Sequence, residues 1–374
     1  MKAIARVEQF VFEAKPWKLV LAIALLTLFK TGVWYMPNQG SVLAIAQNPF
    51  VNPFADPFAH YLFWSWLDPF LAWLVGAVTK WKLFGFHLAI ALAFTLLFLR
   101  VAFRTLPGDM ARAAVVLFSV LPVSATAYFW VGPDALTLLL LLLALAFPTY
   151  RVITFTIGLL LGMQHFEQGV FAVSALLFAV ALSQRQGYGL RYTWAFCATL
   201  LVGVVGGKLI LIQVFDHYDI VVNSGRMHWL RGHFDTITSQ FFYHIHPVVW
   251  SVLGLGWLAA LRFTDWGAKS VPFFLGLVGL CLLLPIVADQ TRVLSIITFP
   301  LVFTYLLTNP DFLGKLGRRE VAWLFGIWAL MPWAWVWSGD PKWSVFPHDV
   351  AYVLHRLFGW FDVPPDPALW PFVP

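Results

Sequence analysis

Apolar runs separated by short polar segments recur along almost the whole chain. They fall near residues 17–36, 84–103, 112–130, 134–149, 150–166, 168–183, 193–215, 247–262, 271–288, 293–308 and 321–338. A helix needs about 20 apolar residues to cross a bilayer, so the pattern predicts about eleven transmembrane helices. The runs are continuous rather than alternating, which excludes a β-barrel. Several are short for a full crossing, and short or broken helices at membrane depth line protein cavities rather than face lipid. No internal repeat is evident, and the longest polar loop, 216–246, is too short for a core of its own. The expected fold is therefore all-α, with residues 1–374 forming a single polytopic transmembrane domain.

Residues 61–78 admit two placements. They cross the membrane, or they lie in the interface as two short helices broken at Asp68-Pro69. In the flat placement the cytoplasmic side receives 1–18, 100–112, Arg151, 183–192, 262–269 and 309–320, which hold 15 of the 24 Lys and Arg. Crossing leaves fewer cations inside, so the positive-inside rule favours the flat placement. Trp64, Trp66 and Trp73 suit interfacial helices. The outer surface then comprises a first loop, 37–83, with its interfacial helices, and a tip at Trp130-Val131-Gly132-Pro133-Asp134. A second tip follows at Gln164-His165-Phe166-Glu167-Gln168. The 216–246 loop, the turn 289–292 and a C-terminal cap, 339–374, complete it.

Composition agrees with the pattern. The chain is 60% hydrophobic and 11% charged, against about 25% charged in soluble domains. The net charge of +6 reflects cytoplasmic loops rather than a nucleic-acid partner. Cys197 and Cys281 sit in apolar stretches and read as small buried hydrophobes. Lys2, Arg6, Lys15 and Lys18 precede the first run, which reads as an uncleaved signal anchor with the N-terminus inside and the C-terminus outside. The expected location is a bacterial inner membrane. With 61–78 flat, twelve of the 18 carboxylates and all ten histidines fall on or near the outer side. Acid–base chemistry is therefore expected there.

Asp56 opens the candidate list. A carboxylate near the outer boundary suits a general base, and it also suits an N-cap ahead of Pro57. His60 would share its face if 57–68 is helical. Asp68 reads as a structural cap. Asp134 opens a leucine run as a site carboxylate or a cap. His165 and Glu167 stand amid apolar residues, where polar groups face a cavity or each other. Lys30 and Lys208 lie in the outer halves of their spans and Arg292 at the mouth of another. Such cations neutralise a phosphate leaving group, snorkel or, for Arg292, pair with Asp289. The 216–246 stretch reads as a solvated, substrate-covering loop. No metal-ligand spacing, Walker motif, dinucleotide loop or haem motif is present.

The layout resembles the GT-C superfamily of membrane glycosyltransferases. The Asp56-Pro57-Phe58-Ala59-His60-Tyr61 segment is similar to the acidic motif of that family's first outer loop. The two later tips fall where the family places polar residues, so the resemblance covers about residues 1–190. The chain departs from the pattern in having proline after Asp56, and no large soluble C-terminal domain follows. The resemblance implies a polyprenyl-phosphate-linked sugar donor and a lipid, glycan or protein acceptor whose hydroxyl is deprotonated by Asp56. Attack on the anomeric carbon would proceed with inversion, with no redox cofactor and no metal. Membrane lipid is the other partner. Two alternatives stand beside this one. An O-antigen polymerase or ligase would use Arg226 and Arg231, and a lipid-linked-sugar flippase would need no base.

Overall fold

The computed structural model describes residues 2–31, 39–128, 131–222, 226–264, 267–331, 333–337, 340–343 and 354–360. Trp130 and most of the expected 339–374 cap lie outside them. The apolar runs become helices because only a helix satisfies its own backbone groups where no water can. In order these are α1 Lys2–Glu13, α2 Pro16–Thr31, α3 Gln39–Gln47, a 3-10 helix Pro57–Trp64, α4 Leu67–Leu74, α5 Lys80–Thr105, α6 Gly108–Val120, α7 Pro122–Tyr128, α8 Asp134–Ala146 and α9 Arg151–Arg185. There follow α10 Trp194–His217, α11 Arg226–Tyr243, α12 Ile245–Leu253, α13 Gly256–Thr264, α14 Val271–Cys281, α15 Gln290–Val302, α16 Pro310–Leu313 and α17 Arg318–Leu330. Among the described residues the only strands, β1 Ala334–Trp337 and β2 Asp340–Trp343, pair antiparallel.

Among the described residues five helices are long and apolar enough to cross a membrane, or six if α12 and α13, bent by 80°, form one span. The chain is thus a helical protein with several candidate spans, and the count of eleven is not reached by length alone. Part of the difference is that α2 and α8 are apolar but short and that α9 holds two of the expected runs; local breakers account for three more. The expected span 112–130 divides at Leu121-Pro122, because proline has no N–H to continue the ladder. The span 247–262 divides at Gly254, whose φ is +55°. The span 321–338 stops at Leu330, because Met331 precedes a proline and takes an extended conformation. The chain then turns into β1.

α9 is not straight. His165 has φ −158° and ψ 84°, and the chain reverses there. In a straight helix residues eight apart are separated by about 12 Å, yet a Cβ on Gly169 would lie 3.1 Å from Leu161 Cγ. The chain leaving α9 accordingly returns to the end of α8. The Trp194 amide reaches Gln184 Oε1 at 3.4 Å, and Arg191 reaches Ala146 O, just before α9 begins, at 3.4 Å. The two limbs correspond to the expected runs 150–166 and 168–183, with 164–168 at the tip.

The first limb packs side by side with α10 through glycines. A Cβ on Gly162 would collide with Val204 O, and one on Gly207 with Leu159 O. Small residues allow this backbone approach, which is how helices associate in lipid. Gly162→Ala or Gly207→Ala is expected to lower stability by about 1–3 kcal/mol through overpacking. Gly279→Ala, with nothing within 4 Å of its Cβ, should leave the melting temperature of the detergent-purified protein unchanged. Equal melting temperatures for all three variants would contradict the close approach.

The helices place the polar residues at two ends. At one end Arg318 pairs with Asp109 at 2.7 Å, Arg262 with Glu320 at 3.6 Å, and Arg112 donates to Val11 O at 2.7 Å. Asn309 donates to Tyr188 Oη at 2.8 Å, and Lys269 lies 5.3 Å from the Tyr188 ring. This end gathers the basic segments expected on one side. The opposite end gathers 39–83, 131–134, 164–168, 208–222, 226–246 and 285–292. Between them α15 is almost wholly buried, and its Ser295 meets Thr126 at 2.7 Å.

Candidate functional site

The non-basic end carries a connected polar network. Its first part forms where the N-termini of α8 and α15 meet. Arg292 Nη1 donates to Asp134 Oδ2 at 2.9 Å, and its Nε donates to Asp289. Both carboxylates are buried, and the arginine side chain is about one fifth exposed. Asp134 is therefore the first residue of α8 and an ion-pair partner rather than its cap, which is Pro133. Arg292 carries two carboxylates, one more than the Asp289 pairing read from the sequence. β1 closes over this corner, with the Val336 amide donating to Thr291 Oγ1 at 2.8 Å.

The second part links the 39–83 segment to the bundle. Residues 61–78 do not form one long helix. The 3-10 helix ends at Trp64 and α4 begins at Leu67. The break falls at Ser65 rather than at Asp68-Pro69. Asp68 is consequently not a cap. It sits inside the first turn of α4, fully buried, and accepts from His87 Nε2 of α5 at 2.7 Å. Asp68 Oδ1 and His87 Nδ1 are also buried, with no hydrogen-bond partner among the described residues. A buried polar pair with loose ends is weak support for stability.

Gln164 joins the two parts. Its Oε1 accepts from the Asp68 amide at 2.9 Å, and its Nε2 donates to Pro133 O at 3.0 Å, one residue before Asp134. His165 and Glu167, at the same reversal, approach to 3.7 Å. They face each other, one of the two arrangements expected for polar residues in an apolar run. Lys208 Nζ lies 3.1 Å from the centroid of the Trp64 ring and 5.8 Å from that of Phe166, so this cation is held by aromatic faces.

Asp56 is exposed and caps the 3-10 helix, accepting from the Phe58 amide at 2.9 Å, with Pro57 at the first helical position. The shared helix face expected for Asp56 and His60 is not formed. The segment is 3-10 rather than α, and it stops at Trp64. His60 is buried and donates to Phe54 O at 3.0 Å. The first loop is pinned from two sides. Trp66 Nε1 donates to Pro49 O at 2.7 Å, and Asn52 donates to Val221 O at 2.9 Å. The expected solvated loop 216–246 is largely helix α11, which lies over the 3-10 helix. The Phe58 and His228 rings are 4.8 Å apart, and those of Tyr61 and Trp229 are 5.9 Å apart.

Neither Asp56 nor Lys30 contributes a hydrogen bond or ion pair to the Arg292 network among the described residues. Lys30 is buried against α17, donating to Trp328 O with its Nζ 4.5 Å from the Trp328 ring centroid. That contact joins α2 to α17, so Lys30 neither snorkels nor meets the site. The two cysteines are free, Cys197 buried and Cys281 partly so. Among the described residues no group of three or more His, Cys, Asp or Glu is placed to hold a metal ion.

The sequence reading missed His87 and gave Gln164 no role of its own. A histidine within an apolar span, and a glutamine beside His165, were the available signals. No family model, curated protein or solved structure matches this chain.

Proposed function

We propose that the protein is a membrane glycosyltransferase of the GT-C type, moving a sugar from a polyprenyl-phosphate donor to an acceptor hydroxyl at the outer leaflet. The observation that carries this reading is the meeting of Asp134, Arg292, Asp289, Gln164, Asp68, His165 and Glu167 at the non-basic end. The first loop covers that end as two short helices. Positive loops stay cytoplasmic, so the polar end faces outward.

Asp56 is the general base in this reading, exposed on the rim of the first loop where an acceptor arrives. The acceptor oxygen attacks the anomeric carbon as Asp56 takes its proton, and the bond from that carbon to the phosphate oxygen breaks. Polyprenyl phosphate leaves with the electron pair. Arg292 is charge-balanced by two carboxylates and holds Asp134 for a sugar hydroxyl. Lys208, on its aromatic support, meets the developing phosphate charge. The buried Asp68–His87 pair favours one alternative, a lipid-linked-sugar flippase, because paired ionisable groups within spans also mark transport pathways.

The test uses proteoliposomes loaded with a polyprenyl-phosphate sugar and a hydroxyl acceptor. Release of polyprenyl phosphate with transfer of the sugar is expected. Movement of intact donor between leaflets without release would establish the flippase instead. Single cysteines at the exposed positions 56 and 81 should react with an impermeant thiol reagent on intact cells, and one at the exposed position 105 should not. The reverse pattern would place the site on the cytoplasmic side.

A further inference from the structure

We propose that Gln164 is a positioning residue, a two-armed clamp that sets the first outer loop against the N-terminus of α8. Its assignment to transfer rests on the reading above, but the clamp itself stands on geometry. Gln164 is fully buried at the reversal of α9. One arm accepts from the Asp68 amide and the other donates to Pro133 O. Each arm meets a backbone group, so the clamp fixes chain position rather than side-chain orientation.

The first arm fills a defined need. The opening amides of a helix have no acceptor within it, and Asp68 lies in the first turn of α4. Its amide is buried with the residue, and Gln164 Oε1 is the acceptor it finds. The same residue's carboxylate is tied to His87 of α5. One amide side chain therefore holds α4 in place beside the α5 contact. The second arm reaches the carbonyl that also accepts from Leu136 at 3.1 Å in the first turn of α8. Displacing Pro133 moves Asp134, and with it the Arg292 pair. A first loop that docks on Gln164 thus completes the carboxylate–guanidinium corner, and one that lifts off releases it.

The clamp is tested by hydrogen exchange on the purified, full-length protein. In Gln164→Met, which keeps length and apolar bulk, exchange at Asp68 and in the first turn of α8 should rise about tenfold or more. Exchange in α17, on a different part of the bundle, should stay as in wild type. Gln164→Glu keeps an acceptor for the Asp68 amide, and as a fully buried carboxyl it stays protonated and can donate to Pro133 O. It should restore protection at both Asp68 and the α8 turn. In the transfer assay Gln164→Met should lower kcat more than it raises KM for the donor. Unchanged exchange at Asp68 in Gln164→Met, or an equal rise in α17, would overturn the clamp. Wild-type protein without transfer activity but with the stated exchange pattern would overturn the glycosyltransferase reading and leave the clamp standing.

Discussion

Asp56→Asn is expected to lower the rate of sugar transfer by about 10²–10⁴-fold, the usual contribution of a positioned general base. The substitution separates two roles that coincide at this position. Asp56 caps the 3-10 helix by accepting from the Phe58 amide, and asparagine caps a helix as well as aspartate does. The fold of the first loop is therefore preserved while the proton acceptor is lost. Thermal stability and donor affinity should match wild type, and only kcat should fall. Asp56→Ala removes the cap as well and should lose about 1 kcal/mol of stability in addition. A fully active Asp56→Asn enzyme would exclude Asp56 as the base. An O-antigen polymerase or ligase would show that outcome, with Arg231 on α11 as the residue to substitute next.

Arg292→Met is expected to destabilise the protein by about 3–5 kcal/mol, because it strands buried carboxylates without their counter-charge. Asp134 and Asp289 are about 6% and 5% exposed and both point at the guanidinium. The triple replacement Asp134→Asn, Arg292→Met, Asp289→Asn should recover most of that loss, since it removes the charges together. Denaturant unfolding in detergent measures both effects. A single variant as stable as wild type would mean that the ion pairs do not hold the α8 and α15 N-termini together. The triple variant should regain stability and still fail in transfer, which separates the architectural share of the cluster from its role at the site.

How far the site could be read from the sequence depended on distance along the chain. Asp56 ahead of Pro57 is a local signal, and the structure has the cap. Asp289 and Arg292 lie three residues apart, and that ion pair forms. The partner of His165 was visible for the same reason, two positions away at Glu167. Contacts across the chain left no such trace. Asp68 looked like a second Asp-Pro cap, and its pairing with His87 depends on how α4 docks against α5. The Arg292–Asp134 pair joins residues 158 positions apart. Lys30 shows the opposite failure. A cation in the outer half of a span suggested the site, and packing of α2 against α17 instead placed it beside Trp328.

By itself the sequence determined the helical class, the apolar runs and the two-sided division of charge. Hydropathy and turn residues act over a few neighbouring positions, and the cost of burying charge sorts loops without reference to any fold. It also pointed to short helices rather than one long one within 61–78, through Trp placement and the count of cations. Only the tertiary structure decided where those helices break, that α9 reverses at His165, and that α11 covers the first loop. Tertiary structure alone also connects Asp68, Gln164, Pro133, Asp134 and Arg292 in one network. Each of these outcomes depends on which surfaces meet across long stretches of chain, where close glycine contacts and single buried hydrogen bonds choose among arrangements that share the same local pattern.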